Sequence, residues 1–330
     1  MKIVSYIGLI VGVAVLTALI AWQGFREVGG ILLDSGAPLL LVPLVWVPTV
    51  LPAVRAWQMT FLPDRAPRYW PALYAHWMGV SVNTLLPVAS IGGEVVKTRV
   101  LVLKGIDPLH ASASLVVDKT VQVFAIILWG AVGVVALSWL ALDSKLAAAA
   151  AAGLALLGAG VAGFLVVQHS GMLGFMARSA SKVVPNDFFS RMVGHADEVD
   201  QFIRDVYRRR RQIVGSTFWR FVALALQTGE VWLAAYLLGH PISVVEAVML
   251  KSLSNTLSDA AFFVPNSYGV QEGAYVVLGA LIGVGPDVAL AISLATRLKE
   301  LLFDVPGLVL WQHIEWRTLM LRRKSAEKGT

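Results

Sequence analysis

Hydrophobic and polar positions divide the chain into long apolar runs separated by short charged loops. The first run, about Val4–Trp22, is followed by a polar loop carrying Arg26, Glu27 and Asp34. The second, about Ala37–Val54, contains Pro43, Pro48 and Pro52. Prolines at that spacing disturb the helical ladder, so a kinked span is predicted. Ala111–Leu140, the alanine-rich Leu146–Val167, Ile213–Leu238 and Val288–Trp311 are further apolar stretches. Each suits the roughly 20 residues a helix needs to cross a bilayer. Two other stretches are broken. Trp70–Leu103 is interrupted at Asn83, Pro87 and Gly92-Gly93, and Ile242–Val264 runs into Pro265–Glu272 before a short apolar return, Ala274–Val284.

The two broken stretches share their punctuation. Leu85–Lys119 carries Pro87, Glu94, Gly105, Pro108, Ala111, Ala113 and Lys119. Phe263–Arg297 carries Pro265, Glu272, Gly283, Pro286, Ala289, Ala291 and Arg297, each 178 positions later, without a gap. What repeats is the set of residues that shape the backbone or are costly to place in a membrane: Pro, Gly, one carboxylate and one cation. The expected architecture is an all-α integral membrane protein of about six full spans plus two re-entrant helical hairpins. It forms one polytopic membrane domain over residues 1–330, with repeat copies around 71–119 and 244–297.

Charge placement sets the expected topology. With the N-terminus in the cytoplasm and each broken segment returning to its side of entry, the loops at 55–68, 97–104, 171–212 and 317–328 lie inside. They hold nearly all the loop Lys and Arg, while the outer loops keep Arg26 and Lys145, as the positive-inside rule requires. Both termini are then cytoplasmic, and the hairpins enter from opposite faces, an inverted-topology internal repeat. The polar segment 171–212 has Val199, Phe202, Ile203, Val206 and Tyr207 at helical spacing before Arg208–Arg211. It reads as an amphipathic basic helix on the membrane surface, serving as topology anchor.

Composition agrees: 57% hydrophobic and 15% charged residues, with mean hydropathy +0.71. Cysteine is absent, which excludes disulfides and cysteine metal sites. The six histidines show no metal-binding spacing, and no P-loop, dinucleotide or nucleophile-elbow pattern is present. No cofactor, no metal, no nucleic acid and no enzymatic activity are therefore expected. Lys2 precedes an apolar run longer than a signal-peptide core, so a retained helix is expected.

Broken apolar segments at matching positions of inverted halves point to a midplane binding site. Glu94, Asp118, Lys119, Glu272, Arg297 and Glu300 are expected to form a buried charge cluster around an amphiphile's polar head. Asn83, Asn255, Asn266, Ser267, Tyr268 and Gln271 would add hydrogen bonds. Glu94–Lys119 and Glu272–Arg297 serve equally as internal ion pairs that fold the hairpins. Glu230 is open between a lone protonated carboxyl packed among helices and a proton-coupling site. His76 and the eleven tryptophans are assigned to the interface belt.

Asn83-Thr-Leu-Leu-Pro-x-x-x-x-Gly-Gly-Glu94, the Asp118-Lys119 pair, and Pro265-x-x-x-Gly-x-Gln-Glu-Gly273 followed by Arg297-x-x-Glu300 resemble the transmembrane family of lysylphosphatidylglycerol synthases. That family includes the flippase half of the multiple peptide resistance factors and the YbhN-like group, and the branch most similar is the hopanoid-associated, HpnL-like one. The resemblance covers essentially the whole chain. It implies a lipid flippase or transporter of the bacterial inner membrane, moving a hopanoid, phospholipid or glycolipid between leaflets. Its membrane cavity would map onto Glu94, Lys97, Arg99, Asp118, Lys119, Glu272, Arg297 and Glu300. The soluble aminoacyltransferase domain of the full-length synthases is expected to be missing after Trp311. The alternative is a non-transporting membrane partner of hopanoid or glycolipid biosynthesis enzymes, and a homo-oligomer is compatible with either.

Overall fold

The computed structural model describes residues 36–86, 92–140, 145, 148–153, 155, 158–159, 196–260, 267 and 269–327. The expected spans Val4–Trp22 and most of Leu146–Val167, the segment 171–195, and Pro87, Pro265, Asn266 and Tyr268 lie outside them. The described residues are helical with no strand among them.

Two 3-10 turns, Ala37–Leu41 and Pro43–Val45, lead into α1, Trp46–Gln58. Pro43 opens the second turn, and Pro52 sits inside α1, where the missing N–H disturbs the ladder predicted to kink. Next come α2 (Tyr69–Leu85), α3 (Gly92–Leu103) and the 32-residue α4 (Pro108–Trp139). Asp107 caps α4 by accepting from the Leu109 and His110 N–H groups at 2.9 and 3.2 Å, with Pro108 at the first helical position. After the central gap come α5 (Ala196–Arg208), α6 (Arg210–Leu226), α7 (Thr228–Leu237), α8 (Val244–Ala260), α9 (Val270–Leu281) and α10 (Pro286–Lys299). A π-turn, Glu300–Asp304, joins α10 to α11, Val305–Glu327. Pro306 follows it and cannot donate to the preceding turn. The indole of Trp77 in α2 donates to the Phe303 carbonyl at 2.9 Å, satisfying a group in the widened turn.

The described helices include two candidates for crossing a bilayer by length and composition: Ala37–Gln58, which joins the 3-10 turns to α1, and α4, about 48 Å long. The 178-position offset of the sequence recurs in these helix boundaries. α3 and α9 are both 12 residues and start and stop 178 positions apart. Gly105 and Gly283 both have positive φ, and Pro108 and Pro286 both open the following helix. α2 packs on α3, and α8 packs on α9.

One apolar core gathers α1, α2, α3 and α11 around Trp57, Phe61, Leu101 and Leu308. Another gathers α7 to α10 around Val231, Leu250, Tyr275 and Ile292. α4 belongs to both, through Leu115 near its start and Leu137 near its end. Close approach relies on glycine: a Cβ on Gly93 would overlap the Gly79 carbonyl oxygen and the Asn83 side chain. Val135, Trp139 and Val277 instead point outward, a surface that suits lipid better than water.

The apolar face of α5 is covered by protein. Phe202, Ile203 and Val206 are buried against Ala113, Val117 and Val121 of α4, and the Phe202 ring lies 5.2 Å from that of His110. The sequence reading set this face on the membrane surface, because periodicity reports an apolar stripe and not what covers it. Arg208–Arg211 are exposed.

Candidate functional site

A cavity of about 510 Å³ lies between the two cores. Each wall helix contributes one face at helical spacing. α1 gives Trp46, Thr49, Val50 and Ala53, α2 gives His76, Val80, Asn83 and Thr84, and α4 gives Lys119, Gln122, Val123 and Ile126. α6 leads through Arg220, Ala223 and Leu224 to Gln227 at its end, and α8 gives Lys251, Asn255, Ser258 and Asp259. Glu94 and Lys97 of α3, Glu230 of α7, and Thr296, Arg297, Lys299 and Glu300 around the end of α10 close the ring.

Two charge hubs include matching residues 178 positions apart, Glu94 with Lys119 and Glu272 with Arg297. In the first, Glu94 sits between two cations, with Lys119 Nζ at 2.8 Å and Lys97 Nζ at 3.1 Å. Its place in the first turn of α3 puts the carboxylate at the positive end of the helix dipole. Lys97 is buried and also lies 5.6 Å above the Trp57 ring, whereas the Lys119 side chain is 38% exposed. In the second hub the signs are exchanged. Arg297 sits between two carboxylates, Glu272 at 2.6 Å and Glu300 at 3.2 Å. Glu272 also accepts from the Gly269 N–H at 2.7 Å, fixing the start of α9 where Gly269 has φ 79°. The pairings Glu94–Lys119 and Glu272–Arg297 are those expected from the repeat.

The remaining sequence-predicted residues divide. Asn83 lines the cavity, and its Oδ1 accepts from the Gly93 N–H at 2.7 Å, capping α3. Asn255 and Gln271 line it too, Asn255 donating to Gln227 at 3.2 Å and Gln271 to Ser293 at 3.3 Å. Ser267 donates to the Ser258 carbonyl at 2.6 Å. Asp118 stands behind the wall, 1% exposed, in an ion pair with Arg220. Arg99 is not among the lining residues and forms a two-pronged pair with Glu315 of α11 at 3.3 Å. Glu230 is not a lone carboxyl: Lys251 Nζ lies 3.1 Å away, and both side chains are buried.

Sequence reasoning missed several members. Arg220 was detectable as a cation inside an apolar run, ten residues before Glu230. Gln227 marks the break between α6 and α7, and no pattern announced it. His76, assigned to the interface belt, is instead buried on the cavity wall, with Nδ1 unpartnered and its ring 6.5 Å from Trp57. The belt assignment failed because an isolated His in an apolar run carries no sign of which face it takes. Among the described residues, no three His, Cys, Asp or Glu side chains converge to hold a metal. Chemically, the ring can hold charge of both signs away from bulk water at modest cost, since most of its ions are already compensated.

The family model described as lysylphosphatidylglycerol synthase TM region matches residues 9–306. No curated protein matches the chain, and no solved structure does.

Proposed function

The chain belongs to the lysylphosphatidylglycerol synthase transmembrane-region family, and from that membership and the charge-lined cavity we propose that it translocates an amphiphilic lipid between membrane leaflets. The observation that carries this reading is the ring of compensated charges, with an ion pair from each of two segments 178 positions apart. The lipid's polar head enters the ring and its tails stay against the apolar outer faces. Lys119, the more exposed cation of the first hub, meets an anionic group such as phosphate. An amine on the same head faces the carboxylates of the second hub.

In this reading α2–α3 and α8–α9 are the two re-entrant hairpins, inverted relative to each other and accompanied by six full spans. Helices of 12 and 17 residues, about 18 and 26 Å, fit short of the ~30 Å hydrocarbon core and support that assignment. Rocking of the two halves would expose the ring to one leaflet and then the other. The protein acts without catalysis of its own, in the inner membrane of a bacterium with both termini cytoplasmic. Its cargo is a hopanoid, phospholipid or glycolipid.

The test is reconstitution of purified protein into liposomes with fluorescent lipid probes of several head groups. Wild type should move at least one probe between leaflets, and Lys119→Ala should slow that probe while the protein elutes normally. Lipid that stays in place with every probe would remove the reading. It would favour the alternative of a membrane partner for lipid-biosynthesis enzymes, docked through the exposed Arg208–Arg211.

A further inference from the structure

Seven carboxylates come together at or near the cavity, and five have a cation in ion-pair contact: Glu94, Asp118, Glu230, Glu272 and Glu300. Asp259 has none but is exposed on the cavity wall, where water solvates its charge. Asp304 differs. It is 1% exposed, no cation is in ion-pair contact with it among the described residues, and its Oδ2 has no hydrogen-bond partner. Its Oδ1 lies 3.4 Å from the Ser81 hydroxyl, which also donates to the Trp77 carbonyl at 2.9 Å. A hydroxyl has one hydrogen to give but can also accept. With that hydrogen on Trp77, the Ser81 oxygen is left to accept, so the geometry suits a protonated Asp304 donating to it. A bare carboxylate in this place would be an uncompensated charge inside the membrane.

The surroundings are built for this group. Asp304 ends the π-turn, a helical irregularity that recurs at functional sites. A Cβ on Gly307 would overlap the Ser81 hydroxyl, so glycine there lets α11 press against α2 beside the acid. Glu300, four residues earlier in the same turn, lines the cavity and holds Arg297. The charged groups acting on Asp304 are Lys299 and Glu300 beside it and Glu230 of α7, which is neutralised by Lys251 of α8. From α10 comes Arg297, held by Glu272 and Glu300. α2 contributes His76, five residues before Ser81, and α11 carries no titratable residue before His313.

We infer that Asp304 is a proton-binding site that couples lipid movement to the proton gradient. This rests on the transport reading above. Water in the cavity delivers a proton to the carboxylate, whose charge goes from −1 to zero. Loss of that proton places a second negative charge beside Glu300 and competes for Arg297 and Lys299. That weakens the Arg297–Glu272 link between α10 and α9, so the protonation state biases the position of the second hairpin.

The experiment uses the full chain in phosphatidylethanolamine–phosphatidylglycerol liposomes containing NBD-labelled phosphatidylglycerol, with dithionite reporting the outer leaflet. A one-unit pH gradient should shift the wild-type leaflet ratio by up to about tenfold, the free energy of one proton crossing one pH unit. Asp304→Asn, which keeps the shape of the protonated acid, should remove the response to the gradient, and Asp304→Glu should restore part of it. A wild-type ratio indifferent to the gradient, or an Asp304→Asn ratio that still responds, overturns the coupling and leaves lipid movement standing. Difference infrared spectroscopy on the same samples should show a protonated carboxyl band at neutral pH that Asp304→Asn lacks, and absence of that band overturns the assignment. No probe movement by any variant sinks the transport reading, and the coupling with it.

Discussion

Asp118→Asn is expected to destabilise the protein by about 3 kcal/mol. The Asp118 carboxylate and the Arg220 guanidinium join α4 to α6, with side chains 1% and 9% exposed. Neutralising one partner strands the other as an uncompensated buried charge, a loss of about 3–5 kcal/mol. Arg220 borders the cavity, where water relieves part of that penalty, which places the value at the low end. Asp118→Asn/Arg220→Gln removes both charges and should recover most of the loss, giving a coupling energy of about 2 kcal/mol. The assay is a four-protein cycle of unfolding in mixed micelles, followed by tryptophan fluorescence. The reasoning fails if Asp118→Asn shifts stability by less than ~1 kcal/mol yet abolishes lipid binding. Asp118 would then touch the head group rather than hold the wall.

Gly93→Ala should destabilise by about 1–3 kcal/mol, because the added methyl overlaps the Gly79 carbonyl across the α2–α3 contact. Gly273→Ala, which opens into free space, should leave the melting temperature unchanged in the same thermal scan. Lys119→Ala should weaken binding of an anionic lipid by about tenfold or more, the worth of a charge-assisted hydrogen bond. Arg99→Ala, whose partner is Glu315 away from the lining, should change that affinity little in the same fluorescence titration. Phe202→Ala should loosen α5 from α4, seen as faster hydrogen exchange over residues 196–208 while the protein stays in the membrane fraction.

The elements most legible in the sequence are those that local chemistry dictates. The glycine and proline spacing that predicts two matching breaks is the spacing at which α3 and α9 begin and α4 and α10 open. The pairs Glu94–Lys119 and Glu272–Arg297 were readable because each lies within one copy, 25 positions apart. What stayed hidden depends on contacts between distant segments. Asp118 finds Arg220 more than a hundred residues away, and Arg99 finds Glu315 more than two hundred away. No period in the chain encodes either meeting. The same holds for α5, whose apolar stripe fits a bilayer surface and a protein groove equally well. Asp304 sat in plain view in an apolar run, but its isolation emerges only once the other buried carboxylates are seen with their cations and Asp259 is seen exposed on the cavity wall.

The measurement that tests the central claim most directly is the identity of the lipid that co-purifies with the protein. Wild type and Glu94→Gln/Arg297→Ala would be extracted gently and their co-purifying lipids identified by mass spectrometry. One enriched lipid class, present with wild type and lost from the double variant at equal elution volume, is the predicted result. The same bulk membrane profile in both samples would contradict it and would make the two charge hubs structural supports alone.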